Sequence, residues 1–335
     1  MGGVSGGLRA QLRRDDEPPF IKSPNSGKTE FGVINVTNFF RGTNRTGPYF
    51  EGWYLKHQNG QGQALALIPA FHIDRAGRRA ASLQVISNRG TWWLEYPDTQ
   101  FRASPKQFQV QIGQSCFHSQ GIDLQIRRDG LSLCGTLRYG PFTALRSDIM
   151  GPFRFFGGMQ CAHGVVSMGH SLCGTLHLNG EEIDFSNGIG YIETDRGRSF
   201  PRAYLWSQCV WSGAESGSLM LAAATVPFLA GGFTGCIASV FYGGREYRLA
   251  TYRGARVEEW SPSGLVIRQG KYRLEAELLK AQGQALRAPE EGCMRRTIHE
   301  SLCGDVRYGF WRGRDLVFRH ADRCASFEHS GAAFS

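Results

Sequence analysis

The sequence predicts an all-β protein: two antiparallel barrel- or sandwich-like domains packed together, with very little helix. Three observations predict it. Glycine supplies 44 of the 335 residues, nearly twice the roughly 7% of an average chain. Glycine-containing dipeptides that readily adopt positive φ recur between short β-prone runs, the strongest local sign of hairpins. Within those runs apolar and polar residues alternate with a period of two, the pattern of a strand with one buried face. The glycines lack the every-third-residue spacing of collagen, and 41% of the chain is hydrophobic, too much for a disordered polymer.

The elements follow in chain order. Residues 1–30 lack the apolar core of a secretory signal and read as a disordered tail, so the expected location is cytoplasmic. Residues 31–190 form the expected first domain and 191–335 the second, with the boundary near Asn187–Tyr191. Asn59-Gly60 separates two strands, and Phe108, Val110 and Ile112 alternate with polar neighbours in a third. Asp129-Gly130, Asn179-Gly180, Gly243-Gly244 and Arg312-Gly313 mark further hairpins. The uncharged stretch from Ser216 to Tyr242 is long enough to cross a bilayer. Pro227 and Gly231, Gly232 and Gly235 divide it, which favours two core strands over Leu219–Val226 and Cys236–Tyr242. Tyr272, Leu274, Ala276 and Leu278 alternate again, and the nearest approach to helical spacing is Leu278–Arg287. The run Ser-Leu-Cys-Gly occurs at Ser132, Ser171 and Ser301, which suits two related β-domains.

Charge and cysteine narrow the function. The formal charge is +9, but the arginines are scattered, and no nucleic-acid-binding motif accompanies them, so no nucleic-acid partner is expected. The nine cysteines include no CxxC pair, which argues against zinc and for reduced, mostly buried thiols. Nucleophile elbows, P-loops and dinucleotide fingerprints are absent from the sequence.

Two segments carry candidate chemistry. In the first, Glu51 stands among Tyr49, Phe50, Trp53 and Tyr54. A carboxyl in apolar surroundings resists ionisation and can serve as a proton donor. Alternation puts Glu51 on one face with Trp53. In the second, Tyr191, Glu193, Asp195 and Arg196 lie close in sequence, followed by Tyr204, Trp206 and Gln208. Arginine beside a carboxylate lowers its pKa, which suits a base. Glu51, Asp195 and Glu193 are the expected catalytic groups. Trp53, Tyr54, His163, Tyr191, Arg196, Tyr204, Trp206 and Gln208 are the expected substrate contacts. His163, His170 and His177 recur every seven residues in a segment whose valines and glycines read as strand, so structural hydrogen bonding is expected of them rather than metal binding.

These segments resemble the tocopherol cyclase-like family. The resemblance rests on PYFEGWYLKH from Pro48, GYIETDRGRSFP from Gly190 with YLWSQ from Tyr204, HGVVSMGHSLCGTLHLNG from His163 and APEEGCMRRTIHESLCG from Ala288. It implies a lipocalin-like all-β fold and an isomerase that closes a chromanol ring on a prenylated hydroquinone. A proton adds to the alkene and the phenol oxygen traps the cation. No metal or cofactor is implied, and the partner is a lipophilic small molecule, with peripheral membrane association allowed. A carrier of a hydrophobic isoprenoid, or a hydratase or cyclase of another terpenoid, is the alternative expectation.

Overall fold

The computed structural model describes residues 39–156, 159–213, 215–228 and 231–331, so the tail expected over 1–30 lies outside them. Among the described residues are 22 strands and three short 3-10 turns. The segment with the most helix-like spacing, Leu278–Arg287, is extended. It closes β19 (Tyr272–Lys280) and opens β20 (Gly283–Glu290). Gly283 interrupts it, Pro289 would break a helix soon after, and pairing of β20 with β21 (Cys293–Arg312) satisfies its backbone.

The strands form two antiparallel sheets of twelve and ten strands. In the first, β1–β4 (residues 49–97) meander outward. A 3-10 turn at Asp98–Gln100 carries the chain to the far edge, and the strands from β5 (Phe101–Ala103) to β12 (Ile189–Gly197) meander back until β12 pairs with β1 (Tyr49–Gln58). The second sheet repeats this plan. β13–β16 (residues 204–250) run outward, the turn Thr251–Arg253 crosses over, and the return ends with β22 (Asp315–Ser330) beside β13 (Tyr204–Trp211). The chain passes from one sheet to the other between Gly197 and Tyr204.

Each sheet curls around its own apolar core. Leu55, Leu83, Val110, Phe117 and Ile192 share the first, and Leu205, Leu221, Leu274 and Phe310 the second. No ladder among the described residues joins the edge strands β4 (Gly90–Pro97) and β5, so the first sheet is an open curl rather than a closed barrel. A third core, with Tyr54, Tyr191, Met168, Trp206 and Met220, fills the seam where β1, β10 (Cys161–Leu178) and β12 face β13, β21 and β22.

The hairpins expected at Asp129-Gly130, Asn179-Gly180 and Gly243-Gly244 form with both turn residues in the left-handed conformation that matches strand twist. At Arg312-Gly313 the turn falls one residue later, with Arg312 paired to Asp315 and Gly313 alone at positive φ. Asp129 and Gly130 have φ of 52° and 76°, and Asn179 and Gly180 have 50° and 88°. Asn59-Gly60 instead begins a longer loop. Asn59 Oδ1 accepts from the backbone N–H groups of Gln61 and Gln63, and Gly62 takes the positive φ. The uncharged stretch becomes β14 (Gly217–Phe228) and β15 (Gly231–Tyr242), paired throughout. The described residues contain no helix long and apolar enough to cross a membrane. Ser171–Gly174 and Ser301–Gly304 fall in β10 and β21, strands with the same place in their sheets, each beside the strand that closes onto the first of its sheet.

Candidate active site

Alternation along three strands decides which side chains meet. On β1, Trp53 and Leu55 turn into the first sheet's core, whereas Tyr54 and Lys56 turn into the seam. On β12, Ile192 turns inward and Tyr191 and Glu193 face the seam. On β13, Leu205 and Cys209 join the second core and Tyr204 and Trp206 face the seam. Register brings Tyr54 opposite Glu193, His163 opposite Asp195, Trp206 opposite Glu328, and Glu300 opposite Glu328.

The result is a buried acidic cluster walled by aromatic rings. Glu193 Oε2 accepts from the Tyr191 hydroxyl at 2.6 Å and from Trp206 Nε1 at 3.2 Å, and His163 Nε2 lies 3.5 Å from it. His163 Nδ1 lies 3.0 Å from Asp195 Oδ1. Across the seam, Tyr54 donates to Glu300 and lies 3.0 Å from Ser326 Oγ, and Tyr204 donates to Glu328. The rings of Tyr54 and Trp206 meet edge to face at 5.4 Å. Gln208 is fully buried, and neither amide atom finds a protein partner, an orphan polar group of the kind that a ligand satisfies.

Burial raises every glutamate of the cluster, and their charges raise the histidine. Burial raises Glu300 to about 7, against hydrogen bonding by Tyr54 and the charge of Lys56. Burial also raises Glu193, and its proximity to Asp195 adds to this, while His163 opposes it. Glu328 is raised well above the carboxylate range by burial and by the charges of Asp195 and Glu193. Burial alone would lower His163, but Asp195 and Glu193 outweigh it and push the imidazole up to about 9. At neutral pH the site thus combines carboxyl groups able to hold a proton with a cationic histidine between two acids.

The structure divides the sequence-derived candidates. Glu193, Asp195, Tyr54, His163, Tyr191, Tyr204 and Trp206 converge at the seam. Gln208 shares their face of β13, two residues beyond Trp206. Glu51 and Trp53 do not join them. Glu51 lies on the opposite face of β1, where Tyr49 Oη and the Arg41 backbone N–H donate to Oε2, and where Arg196 is its cross-strand neighbour. Burial raises Glu51 as well, and its Oε1 has no partner. The three histidines are not brought together: His163 is at the seam, His170 packs on Tyr139 and Phe142, and His177 is exposed.

Sequence reasoning missed Glu300, Glu328, Ser326 and Lys56. The signal was present. Glu300 sits on one strand face with Ile298 and Leu302, both buried in the seam core, and a lone carboxylate within an apolar stripe is the same mark that singled out Glu51. Lys56 is 1% exposed and donates to Leu302 O, Cys324 O and Ser326 Oγ at 2.9, 2.5 and 2.9 Å.

Two trios place one potential ligand atom from each residue within 4.8 Å of one another: His163, Glu193 and Asp195, and Cys209, His320 and Asp322. Both are already knit by internal contacts, His163 with its two carboxylates and Asp322 with His320 and Cys209. A cleft of about 450 Å³ opens at one end of the seam, lined by Gln58, Val210, Trp211, Cys303, Asp322 and Cys324 among others. None of Glu193, Glu300 and Glu328 lines it. The cluster therefore lies outside the cleft, and Lys56 connects the two through Cys324 O and Ser326 Oγ.

Two curled antiparallel sheets enclosing an acidic, aromatic-walled seam define a lipocalin-like protein with a buried cluster of acids. Residues 158–331, about half of the chain, match the tocopherol cyclase-like family, and the chain belongs to it. A protein of Oryza sativa subsp. japonica named "Probable tocopherol cyclase, chloroplastic" is 26% identical over 186 residues, 53% of this chain and 40% of that protein. The match thus spans less than half of the relative's length. Two crystal structures share the fold. CghA with Sch210972 aligns at 10% identity and a TM-score of 0.53, covering 84% of this chain and 88% of that one. Kievitone hydratase from Nectria haematococca aligns at 12% identity and 0.51, covering 92% and 97%. At such identities the likeness is one of fold.

Proposed function

We propose that the seam site is the active centre of an intramolecular lyase or isomerase that closes a chromanol ring on a prenylated hydroquinone. The observation that carries this reading is geometric. Burial raises Glu300 and Glu193 alike to about 7, but Glu193 receives two hydrogen bonds and faces a cationic His163 that favours its charged form, leaving Glu300 to hold the proton. Glu300 delivers its proton to the trisubstituted alkene next to the ring, the alkene's π pair forming the new C–H bond. The faces of Trp206 and Tyr54 stabilise the tertiary cation that results. A lone pair of the phenol oxygen then forms the C–O bond, and the phenolic proton passes to Glu193. One proton enters and one leaves, so the product is an isomer of the substrate. Family membership and the name of the rice relative support the same chemistry.

A hydratase would use the same acid, but water would capture the cation. A carrier of a hydrophobic isoprenoid would occupy the same seam and gain nothing from three buried glutamates, each costly to desolvate. One experiment separates the three. The protein is incubated in D₂O with phytyl and geranylgeranyl hydroquinones, and products are read by mass spectrometry and retention. Ring closure gives an isomer carrying one carbon-bound deuterium, and hydration adds one water. Unreacted quinol recovered with the protein at every chain length would sink the catalytic reading. For delivery of so apolar a substrate, Phe155 and Phe156, exposed by 76% and 57% beside Arg154, supply an apolar and cationic contact for a membrane surface.

A further inference from the structure

A second site lies at the seam cleft. The geometry points to Cys303 and Cys324 as a dithiol that a peroxide closes reversibly to a disulfide, and this stands whether or not the ring-closing reading holds. The two sulfur atoms are 2.7 Å apart, on the adjacent strands β21 and β22. On a regular antiparallel pair the opposed Cβ atoms sit roughly 4.5–5.5 Å apart, wider than the about 3.8 Å that a disulfide favours. Here the register shifts between Ser301 and Gly304 and again between Gly304 and Val306. Such bulges re-aim side chains, and they lie at the cysteines themselves. Both cysteines line the 450 Å³ cleft, so a small oxidant reaches them although Cys303 is 4% exposed. The two exposed cysteines differ in this respect. Cys134 lies opposite His177 and Cys173 opposite Arg138, not opposite each other.

The surroundings favour a thiolate. The hydrogen bond from Cys324 brings the Cys303 thiol down to about 7 against burial, and the charge of Lys56 adds to it. Lys56 grips the backbone carbonyls of Leu302 and Cys324, one beside each sulfur, and its third donor meets Ser326, which contacts Tyr54. The dithiol therefore stands one hydrogen-bonded chain away from the carboxylate cluster.

The chemistry balances with hydrogen peroxide as the oxidant. The Cys303 thiolate attacks one peroxide oxygen, so an S–O bond forms and the O–O bond breaks. The departing hydroxide takes a proton and leaves as water. The Cys324 sulfur then attacks the sulfenic sulfur. The S–S bond forms, the S–O bond breaks, and a second water leaves with the proton of Cys324. Two thiols have lost two electrons and two protons, and one peroxide has become two waters. A small dithiol returns the electrons and restores both cysteines.

The test uses the full chain with stoichiometric hydrogen peroxide, followed by alkylation of remaining thiols, digestion and peptide mapping by mass spectrometry. The expected result is a linked peptide joining Cys303 to Cys324, with two of the nine thiols lost and both recovered after dithiothreitol. Cys324→Ser should leave Cys303 as a sulfenic acid that dimedone traps, and Cys303→Ser should abolish the linked peptide. The map of the unaltered protein decides the matter even where a variant fails to fold. Recovery of Cys303 and Cys324 as free thiols once Cys134 and Cys173 are oxidised would overturn the assignment. So would finding either in a link to a different cysteine.

Discussion

Glu300 and Glu51 make a useful pair. Both are fully or almost fully buried carboxyls on apolar stripes, and burial raises both, yet only Glu300 faces the seam that holds Glu193, His163 and Trp206. Glu300→Gln keeps the shape and removes the transferable proton, so turnover of a cyclised quinol should fall by about 10²-fold or more. Glu51→Gln should leave turnover within a few-fold. The reverse result would move the acid to the opposite face of β1. Because Glu300 sits at about 7, the rate should fall as pH rises past neutrality. Stability follows the same direction. His163 is raised from 6.5 to about 9, so its contribution is complete below pH 6.5 and is lost as pH climbs to 9. For Glu300, raised from 4.5 to about 7, the folded state holds the proton more tightly. Its contribution is therefore complete below about 4.5 and is lost by about 7. Melting temperature should decline from pH 7 to pH 9, whereas below pH 6.5 the buried His57, His72 and His170, all lowered by burial, oppose the trend of Glu300. His163→Gln should flatten the limb above pH 6.5 alone, and an unchanged slope there would remove His163 as its source.

At the scale of the strand, most of the architecture was legible. Alternation and turn dipeptides are local features, and the Asp129-Gly130, Asn179-Gly180 and Gly243-Gly244 turns form where they were expected, with positive φ. Leu278–Arg287 shows the limit of local reading, since pairing with β21 overrides a weak helical spacing. The Leu-Cys-Gly glycines carry a sharper constraint. Gly174 has φ of +126°, and a Cβ added there would lie 2.3 Å from Thr136 O. Gly174→Ala should therefore cost more than about 1 kcal/mol, since strain at a positive φ joins a backbone clash. A Cβ on Gly60 meets nothing within 4 Å, and Gly60→Ala should stay within about 0.5 kcal/mol. Urea unfolding of both variants checks the contrast, and equal stability would mean that the β9 (Leu131–Tyr139) and β10 pair relaxes around the new methyl.

For the whole molecule, the site exists because two sheets of the same plan press their closing strands together. The exposed Phe155 and Phe156, with Arg154 between Phe153 and Phe155, give this assembly an apolar, cationic corner. Co-sedimentation with anionic vesicles should weaken several-fold in Phe155→Ser with Phe156→Ser, and equal sedimentation would exclude that corner as the contact. The sequence by itself determined the all-β class, the hairpins and the family, because turn chemistry and period-two burial act over a few residues. It also marked Glu193, Asp195, Tyr54 and Trp206 as chemically apt. Only the tertiary structure decided which acids work together. The closing strands β1, β12 and β13 offer two buried faces, one to their own core and one to the seam, and composition alone does not tell them apart. Tyr54 finds Glu300 across 246 residues of chain, a contact set by how the second sheet docks. Alternation along β1 turns Glu51 away from the cluster, and that docking brings Glu300 and Glu328 into it.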